Sequence, residues 1–552
     1  MVDVVLVGLP GSGKSVVGRR LASRHAATFI DLDERIESGI GRTIPEIFEE
    51  DGEAAFRALE RAAIADLGPA DPAAEVRRVI STGGGAIVDP RNRWALYRGR
   101  TSVWLDGRPE VLAQRLRRSP HVRPLVTSRD PIGTLRELGA RRERFYAAAT
   151  IHHAGVGEVH GVVDIVESKI PALRAPGAGT TLLRTATSIG RIVLGEGIAA
   201  AALAAELETL RAPRAIVVSE PGAMAAVGDG LIGELRARGM DAATVLLPQG
   251  EDAKRLSVIE SAASELASLR VDRGDVLVAV GGGALGDAAG FLAAVYLRGL
   301  RFIQVPTTLV AQIDSAIGGK TGVDLPAGKN LVGAFHQPTA VLIDVALLRT
   351  LPERQVRAAL GEAVKMAALG DERLFELLEE DGPALARADP ATLASGVVAE
   401  LVERAAWAKV EVVVADERER NAGGGRISLN LGHTIGHAVE AAAGFGGLLH
   451  GEAVAYGLRA AVRIGLEMGV TPRERAERIV RLLDRLDLAT DPLPYSLADV
   501  LAHITTDKKH AAGRLRWVLP TADGVVIRDD VDGALVERAA ASLLAAPTGS
   551  VR

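Results

Sequence analysis

A chain of 552 residues is long enough for three or four domains, and its shares of hydrophobic (48%) and charged (24%) residues are those of an ordinary globular protein. The net charge of -5 argues against a nucleic-acid-binding surface, and no apolar stretch predicts a signal peptide or a membrane span. Without cysteine, the chain can form neither disulfides nor cysteine metal sites, so any metal must use histidine and carboxylate ligands. We therefore expect a cytoplasmic protein that acts on small molecules and has no nucleic-acid or membrane partner.

The first predicted strand, Val4 to Val7, leads into a phosphate-binding loop. Residues 8–15 (GLPGSGKS) fit the pattern GxxxxGK[ST] at every position, and a helical pattern follows. In such a loop the backbone amides surround nucleotide phosphates, the lysine reaches the β- and γ-phosphates, and the hydroxyl binds Mg²⁺. The residues predicted to bind ATP with Mg²⁺ are Gly11, Ser12, Gly13, Lys14 and Ser15.

The next strand is predicted over Phe29 to Asp33, where alternation places Asp31 and Asp33 on one face. Paired carboxylates beside a P-loop indicate Mg²⁺ coordination and binding of an acceptor hydroxyl, and a solvated strand face is the alternative. Further features follow in order: Arg57 in GEAAFRALE, the turn Gly83-Gly84-Gly85 after a strand, Arg123 in VRPL and Arg142 in ARRERFY. Over about the first 165 residues these motifs resemble those of shikimate kinase.

This resemblance implies an α/β fold of the nucleoside-monophosphate-kinase type over residues 1–170, with defined roles for its polar residues. Asp31 would lie near Mg²⁺, and Asp33 would act as the base at the shikimate hydroxyl. Arg57 and Arg142, aided by the backbone of Gly83, Gly84 and Gly85, would bind the shikimate carboxylate, since bidentate arginines suit a planar carboxylate. Two further arginines are implied near the nucleotide. Arg123 would be a catalytic residue on a lid over the phosphates, where it neutralises charge on the transferring phosphoryl group, and Arg117 would stack on adenine.

Residues 171–188 are rich in Ala, Gly, Pro and Thr and predict an inter-domain linker. An alternating pattern of strands and helices follows over residues 189–345. Within it, an apolar strand from Leu277 to Val280 runs into three glycines and a helix, where a pyrophosphate could bind close to backbone N–H groups. The glycine spacing is not GxGxxG, so an ordinary tight turn is equally compatible with this stretch.

A run of polar residues within apolar surroundings follows the glycines. The members singled out are Arg298, Thr307, Thr308, Asp314, Lys320, Asp324, Lys329 and Asn330. Lysines and an arginine between Gly-rich turns could bind phosphate and carboxylate groups through charge-assisted hydrogen bonds, and a salt-bridged surface loop is the alternative. Together with YLRG, QVPTTLVAQIDSAIGGKTGV, GKNLVGAF and LNLGHTIGHAVE, the segment resembles 3-dehydroquinate synthase over roughly residues 185–540.

The resemblance implies that residues 189–345 form an NAD⁺-binding α/β domain. The residues implied in cofactor binding are Glu220, Glu251, Lys254, Gly282, Gly283, Asp287, Thr307, Thr308, Lys320 and Lys329. Two positions depart from the family pattern, because Glu220 stands where a smaller polar residue is common and Gln355 where glutamate is common.

Residues 346–552 have helical periodicity and predict an all-helical domain that holds a metal. Glu362, His433 and His450 provide two histidines and a carboxylate, which is the composition of a catalytic zinc site with one open position. His433 and His437 are four residues apart and could both be ligands by spacing alone. The resemblance favours Glu362, His433 and His450 for Zn²⁺ (or Co²⁺) and leaves His437 for substrate or proton transfer.

The same resemblance implies a larger set of residues around the substrate. These are Arg298, Asp314, Lys320, Asn330, Lys365, Lys409, Arg426, Asn430 and one of Lys508 and Lys509. Within this group Lys320 and Lys365, together with His437, would be catalytic. A homodimer through this half of the chain is also implied.

The two resemblances imply a bifunctional enzyme of the shikimate pathway. One half would phosphorylate shikimate to shikimate 3-phosphate. The other would convert 3-deoxy-D-arabino-heptulosonate 7-phosphate to 3-dehydroquinate and phosphate, with NAD⁺ regenerated in each cycle. Three alternatives remain: another sugar-phosphate cyclase, a metal-dependent alcohol dehydrogenase with net NADH formation, or a P-loop half that only senses ATP.

Overall fold

The computed structural model describes residues 2–68, 76–88, 90–97, 100–118, 130–146, 149, 151–154, 159–169, 179–184, 189–326, 328–419, 424–444, 447–510 and 515–545. Two compact units divide the chain, Met1–Val193 and Leu194–Arg552. The predicted linker, 171–188, is not wholly irregular, because residues 179–184 form a strand; residues 171–178 and 185–188 lie outside the described residues. No helix in these ranges is both long enough and apolar enough to cross a membrane.

The first unit is built on a parallel five-stranded sheet of order β2-β3-β1-β4-β5. The strands of the unit are β1 (Val2–Val7), β2 (Thr28–Asp31), β3 (Val76–Ser81), β4 (Thr101–Asp106), β5 (Ile151–Ala154), β6 (Gly179–Arg184) and β7 (Ile189–Gly195), whose last two residues belong to the second unit. The helices are α1 (Lys14–Arg24), α2 (Leu32–Ile40), α3 (Ile44–Glu50), α4 (Gly52–Ala65), α5 (Pro90–Tyr97), α6 (Pro109–Arg117), α7 (Pro131–Tyr146) and α8 (Val159–Lys169).

The central strand β1 positions the phosphate-binding loop. Val4 and Leu6 of β1 are fully buried and pack with Val17 and Leu21 of α1, so the strand and the following helix are fixed against each other. The loop between them turns sharply, with positive φ at Gly11 (82°) and Gly13 (94°), a conformation that glycine adopts without strain. The loop therefore lies at the carboxyl end of the central strand, where parallel sheets bind ligands.

The second unit begins with an α/β part whose parallel strands have the order β14-β11-β10-β8-β9. Its strands are β8 (Arg214–Ser219), β9 (Asp241–Leu246), β10 (Val276–Gly281), β11 (Arg301–Pro306), the antiparallel hairpin β12 (Lys320–Leu325) and β13 (Gly328–Phe335), and β14 (Ala340–Asp344). Its helices are α9 (Ala199–Thr209), α10 (Pro221–Ala223), α11 (Asp229–Ala237), α12 (Leu256–Ser268) and α13 (Gly283–Val295).

The rest of the second unit is helical, as predicted, except for one antiparallel hairpin of β15 (Trp517–Pro520) and β16 (Val525–Arg528). The helices are α14 (Glu353–Ala368), α15 (Glu372–Glu380), α16 (Gly382–Ala386), α17 (Pro390–Leu393), α18 (Gly396–Ala415), α19 (His433–Ala442), α20 (His450–Glu467), α21 (Arg473–Arg485), α22 (Leu497–His510) and α23 (Gly533–Ala541).

Glycines allow three of these helices to pack unusually closely. A Cβ atom on Gly361 of α14 would lie 2.2 Å from the carbonyl oxygen of Gly451 of α20. One on Gly457 of α20 would lie 1.7 Å from the carbonyl oxygen of Gly432, which precedes α19. Because these crossings lie next to Glu362, His433 and His450, they bring the predicted metal ligands within reach of one another.

Candidate active sites

The phosphate-binding loop has its predicted polar residues in place. The Lys14 ammonium donates to the carbonyl oxygens of Gly8 (2.8 Å) and Leu9 (3.1 Å), and so lies across the loop. The Ser15 hydroxyl donates to Asp31 Oδ2 at 2.6 Å. The structure thus brings together the hydroxyl and the carboxylate that were predicted to bind Mg²⁺.

The predicted strand over Phe29 to Asp33 is wrong at its end. Strand β2 stops at Asp31, whose side chain caps α2 by accepting from the Asp33 backbone N–H at 3.1 Å. Asp33 therefore lies in the first turn of a helix, where capping by the preceding aspartate is favourable. Its carboxylate still reaches the predicted substrate site, since a Cβ atom on Gly83 would lie 2.8 Å from Asp33 Oδ1.

The two predicted carboxylate-binding arginines meet at the glycine turn. A Cβ atom on Gly85 would lie 2.6 Å from Arg57 Nη2, and Arg142 Nη1 donates to the Gly84 carbonyl oxygen at 2.9 Å. Gly83, Gly84 and Gly85 thus form the wall of a site that Asp33, Arg57 and Arg142 face. The absence of side chains on this turn is what leaves room for the arginines.

Glu60 is a buried residue of this site that the sequence interpretation missed. It is 1% exposed, and its Oε2 lies 2.8 Å from Arg57 Nη1. Burial raises the pKa of Glu60, while the positive charge of Arg57 acts in the opposite direction. Glu53 contacts the same guanidinium at 2.9 Å but is exposed. The three-residue spacing between Arg57 and Glu60 on α4 is the one available sequence signal.

The structure describes the side chain of only one of the two arginines predicted near the nucleotide. Arg117 is exposed at the end of α6, whereas Arg115, which was not predicted, comes within 3.5 Å of the Cβ position of Gly13 in the P-loop. Arg123 lies outside the described residues. The adenine-stacking role of Arg117 and the lid role of Arg123 both stay predictions.

In the second unit, the predicted dinucleotide residues gather at the carboxyl ends of three neighbouring strands. Glu220 follows β8, Gly282 and Gly283 follow β10, and Thr307 and Thr308 follow β11. Because β8 and β10 are adjacent while β9 and β11 lie on opposite sides of them, this edge is a topological switch point, the usual ligand position in such sheets. Glu220 Oε2 accepts from the Gly250 N–H at 2.8 Å, which fixes the loop that carries Glu251.

Lys254 joins that loop to α13 and to the β12–β13 hairpin. Lys254 is 4% exposed. Its ammonium lies 3.0 Å from Asp287 Oδ2 and 3.9 Å from Asp324 Oδ1, and it donates to Asn330 Oδ1. Burial lowers the pKa of Lys254, but Asp287, Glu251 and Asp324 outweigh burial and raise it. The structure thus brings together Lys254, Asp287 and Asn330 as one polar cluster around the Lys254 ammonium.

The three predicted metal ligands converge. Glu362 Oε1 lies 3.1 Å from His450 Nε2 and 3.5 Å from His433 Nε2, and Glu362 is fully buried. His437 lies close as well, because the candidate ligand atoms of His433, His437 and His450 are all within 4.8 Å of one another. Distance alone permits either set of three. Charge favours the set with Glu362, because its carboxylate offsets part of the charge of a divalent cation.

The residues present fit a divalent metal. Neither carboxylate oxygen of Glu362 accepts a well-directed hydrogen bond, although both are buried among polar groups, and a buried carboxylate without such partners is costly. A cation between Glu362, His433 and His450 would bind Oε1, the oxygen that faces the two imidazoles, while Oε2 lies against the Lys365 ammonium. The donor set of two imidazoles and one carboxylate suits Zn²⁺ or Co²⁺.

A cluster of alternating charges adjoins Glu362. Lys365 Nζ lies 2.5 Å from Glu362 Oε2 and 3.7 Å from Asp314 Oδ2, and Lys409 donates to Asp314 Oδ1. Burial alone raises the pKa of Asp314, but the two ammonium groups outweigh burial and lower it. Lys365 is 1% exposed. Its charge lies beside the candidate metal ligands, and its substrate-binding role stays a prediction.

Arg426 and Lys320 each contact acidic residues of a loop that was not predicted to take part. The backbone N–H of Arg426 donates to Asp416 Oδ2 at 3.2 Å, and the Arg426 Nη1 donates to the main-chain carbonyl oxygen of Glu417 at 2.6 Å. Lys320 Nζ lies 2.7 Å from Glu419 Oε2. These contacts hold two predicted substrate-binding cations, Arg426 at the start of the 3-10 helix Arg426–Asn430 and Lys320 at the start of β12.

Some predicted substrate residues are not brought into this cluster by any contact that the described ranges show. Arg298 is exposed in a short 3-10 turn, and Asn430 ends the 3-10 helix Arg426–Asn430. Lys508 and Lys509 lie in α22, but their side chains are outside the described part of the structure. The role of each of these four residues stays a prediction.

A further residue that sequence reasoning missed is Glu440, on α19. It is 5% exposed, with Oε2 3.2 Å from His450 Nδ1 and Oε1 accepting from Lys329 Nζ at 2.8 Å. Burial raises its pKa, but the hydrogen bonds with His450 and Lys329 outweigh burial and bring the pKa down to about 2. A glutamate three residues after His437 on a helix carries no sequence signal beyond that spacing.

Comparisons with known proteins agree with this division into two sites. Residues 10–166 match the family model of shikimate kinase, and residues 244–358 and 359–510 match those of the N-terminal and C-terminal parts of 3-dehydroquinate synthase. The 3-dehydroquinate synthase of Symbiobacterium thermophilum is 46% identical over 322 residues, 58% of this chain and 87% of that protein. The corresponding enzyme of Synechococcus sp. is 44% identical over 322 residues, 58% of this chain and 84% of that protein.

One solved structure adds a more distant relative. The 2-epi-5-epi-valiolone synthase of Streptomyces hygroscopicus, with NAD⁺ and Zn²⁺ bound, shares 27% identity and a TM-score of 0.59. The likeness covers 64% of this chain and 96% of that protein.

Proposed function

We propose that this chain catalyses both the 3-dehydroquinate synthase and the shikimate kinase reactions. The chain belongs to the 3-dehydroquinate synthase family and carries a shikimate kinase domain ahead of that part. The second unit converts 3-deoxy-D-arabino-heptulosonate 7-phosphate to 3-dehydroquinate and phosphate. The first phosphorylates shikimate to shikimate 3-phosphate with ATP. The two steps are not consecutive, so the fusion does not require direct transfer between sites.

In the cyclase site, the chain supplies a set of fixed charges around an anionic substrate. Lys365 and Lys409, held by Asp314, and Arg426 and Lys320 provide cations for the substrate phosphate and carboxylate. A phosphate would displace the Glu419 carboxylate that now contacts Lys320. Holding substrate against preformed charges supplies orientation and charge stabilisation.

The cofactors implied for this site are NAD⁺ and Zn²⁺ or Co²⁺. Glu362, His433 and His450 would hold the metal, and the switch-point edge with Lys254, Asp287 and Thr307 would hold NAD⁺. When bound, NAD⁺ takes up and returns a hydride and the metal polarises a substrate oxygen. His437, whose candidate ligand atom lies within 4.8 Å of those of His433 and His450, would carry a proton to or from the substrate.

In the kinase site, the loop from Gly8 to Ser15 binds MgATP, with Ser15 and Asp31 towards the metal ion. Arg57, Arg142 and the Gly83–Gly85 turn bind the shikimate carboxylate. Asp33, opposite this turn, accepts the proton of the attacking hydroxyl. The presence of these acceptor-site residues favours a kinase over a sensor that only binds ATP.

The observation that carries the cyclase proposal is the convergence of Glu362, His433 and His450 beside Lys365. It is tested by measuring phosphate release from the heptulosonate phosphate with NAD⁺, before and after a chelator, while following NADH absorbance. We expect release that the chelator abolishes and that Zn²⁺ or Co²⁺ restores, without accumulating NADH. Steady NADH formation would identify a dehydrogenase instead.

A different sugar-phosphate cyclase is the second candidate, since a valiolone synthase shares this fold. The relatives at 44% and 46% identity are 3-dehydroquinate synthases, which favours the dehydroquinate reaction. A metal-loaded protein that released no phosphate from the heptulosonate phosphate, yet cyclised another sugar phosphate, would reverse this choice.

We also propose that the protein is a cytoplasmic homodimer formed through its second unit, a proposal supported by the family resemblance. Light scattering on the purified chain tests it. A mass of twice 57.7 kDa is expected, and a mass of one chain would contradict it.

A further inference from the structure

Glu440 lies behind one of the candidate metal ligands. On one side of the His450 ring, Nε2 is 3.1 Å from Glu362 Oε1, at the centre of the candidate metal site. On the other side, Nδ1 is 3.2 Å from Glu440 Oε2. Glu440 therefore contacts the nitrogen that points away from the site, and so cannot itself be a ligand through that oxygen.

The two histidines are oriented by different partners. The Nδ1 atom of His433 lies 3.1 Å from the Leu431 carbonyl oxygen, so the backbone orients this ring. His450 is the first residue of α20, and its side chain is 36% exposed against 12% for His433. A more exposed ring at a helix start needs a side-chain partner if it is to keep one orientation.

Glu440 is itself fixed from a second direction. Its Oε1 accepts from Lys329 Nζ at 2.8 Å, and Lys329 lies on β13 in the α/β part of the unit. Lys329 Nζ is also 3.5 Å from Glu251 Oε1. With one oxygen bound to Lys329, the other is held towards His450, so the carboxylate has little freedom to turn away.

We propose that Glu440 is a positioning residue for metal binding: by accepting from His450 Nδ1–H it fixes the tautomer and ring orientation that present Nε2 to the metal. A ligating imidazole must have its free lone pair on the metal side, and a carboxylate on the opposite nitrogen enforces this and strengthens the ligand. The inference rests on the proposed function, because it concerns the metal of the cyclase site.

The test is metal affinity, measured on metal-free full-length protein by competition for Zn²⁺ and Co²⁺ with a chromophoric chelator. Glu440→Ala is expected to weaken binding about 10- to 100-fold, the usual effect of removing such a partner. Glu440→Gln keeps an oxygen that can accept from Nδ1–H, so it should recover most of the loss. The visible bands of bound Co²⁺ should change in Glu440→Ala and return towards wild type in Glu440→Gln.

Two controls separate this role from others. Glu467→Gln removes an exposed carboxylate from the same helix as His450 and should leave metal affinity unchanged. Lys329→Met keeps the Glu440–His450 contact and should weaken affinity less than Glu440→Ala does. Equal losses in Lys329→Met and Glu440→Ala would overturn the inference, because the ion pair rather than the imidazole contact would then carry the effect.

The isosteric Glu440→Gln variant keeps the inference testable if Glu440→Ala fails to fold. If Glu440→Gln lost as much metal affinity as Glu440→Ala, the inference would be overturned. It would also be overturned if Glu440→Ala bound both metals as tightly as wild type with unchanged Co²⁺ bands. Failure of the proposed function gives a different result. A wild-type protein that binds metal but releases no phosphate contradicts the cyclase activity, while the metal affinities of the variants still test the role of Glu440.

Discussion

At the scale of single residues, Arg57, which we propose binds the shikimate carboxylate, has two acidic partners of very different burial. Glu60 is buried and Glu53 exposed, and both contact Arg57. Truncating the partner of a buried charge pair leaves the other charge poorly compensated, whereas an exposed pair contributes little. Substituting Glu60 and Glu53 in turn therefore compares a buried and an exposed partner of the same guanidinium.

We predict that Glu60→Gln raises KM for shikimate about 10-fold or more, because a hydrogen bond to a charged group contributes about 1.5–3 kcal/mol. Glu53→Gln should change KM less than about 3-fold. Steady-state kinetics of ADP formation with shikimate varied measures both. Equal effects of the two substitutions would contradict the claim that burial makes Glu60 the anchor of Arg57.

The sequence predicted residues whose chemistry their motif specifies, and it missed two glutamates that end the segments GEAAFRALE and LNLGHTIGHAVE. Lys14 and Ser15 were predictable because a P-loop constrains eight consecutive positions, and His433 because it stands in a recognisable segment. Glu60 and Glu440 are ordinary glutamates on amphipathic helices, whose typical place is the surface. Only tertiary packing shows that both are buried beside a cation.

At the scale of elements, the candidate metal site depends on close helix packing. A Cβ atom on Gly361 would meet the Gly451 carbonyl oxygen at 2.2 Å, and Glu362 and His450 are the neighbours of these two glycines. Backbone atoms cannot yield as a flexible side chain can. Widening this crossing must therefore move the ligands apart.

We predict that Gly361→Ala destabilises the second unit by about 1–3 kcal/mol, the usual cost of overpacking, and weakens Zn²⁺ binding. Gly396→Ala, at the start of α18 with open space around it, is the matched control and should change stability by less than about 1 kcal/mol. Denaturant unfolding and metal competition measure the two effects. A Gly361→Ala protein with wild-type stability and affinity would show that the crossing does not set the site.

Element boundaries were predicted less well where a local cap competes with periodicity. Alternation in FIDLD predicted a strand to Asp33, but the Asp31 side chain caps a helix that starts at Leu32. Residues 179–184 look like linker by composition and form a strand, because backbone pairing tolerates Gly and Thr when a neighbouring strand is available. The strand, glycine turn and helix over residues 276–295 were predicted correctly, because the end of the apolar run and the three glycines indicate the same boundary between strand and helix.

At the scale of the whole molecule, the chain consists of two compact units, each with its own parallel sheet and its own candidate site. Lys14 and Ser15 belong to the first, and Glu362 and His450 to the second. Residues in separate units that share no partner are expected to act independently when substituted. The account's central claim is therefore that one polypeptide carries two separable activities.

The most direct measurement is a pair of assays, shikimate-dependent ADP formation and phosphate release from the heptulosonate phosphate, on wild type, Lys14→Met and Glu362→Gln. Wild type should perform both reactions. Lys14→Met should lose ADP formation about 100-fold or more and keep phosphate release, and Glu362→Gln should show the reverse. If either folded variant lost both activities, or if wild type lacked one of them, the claim of two separable enzymes on this chain would be contradicted.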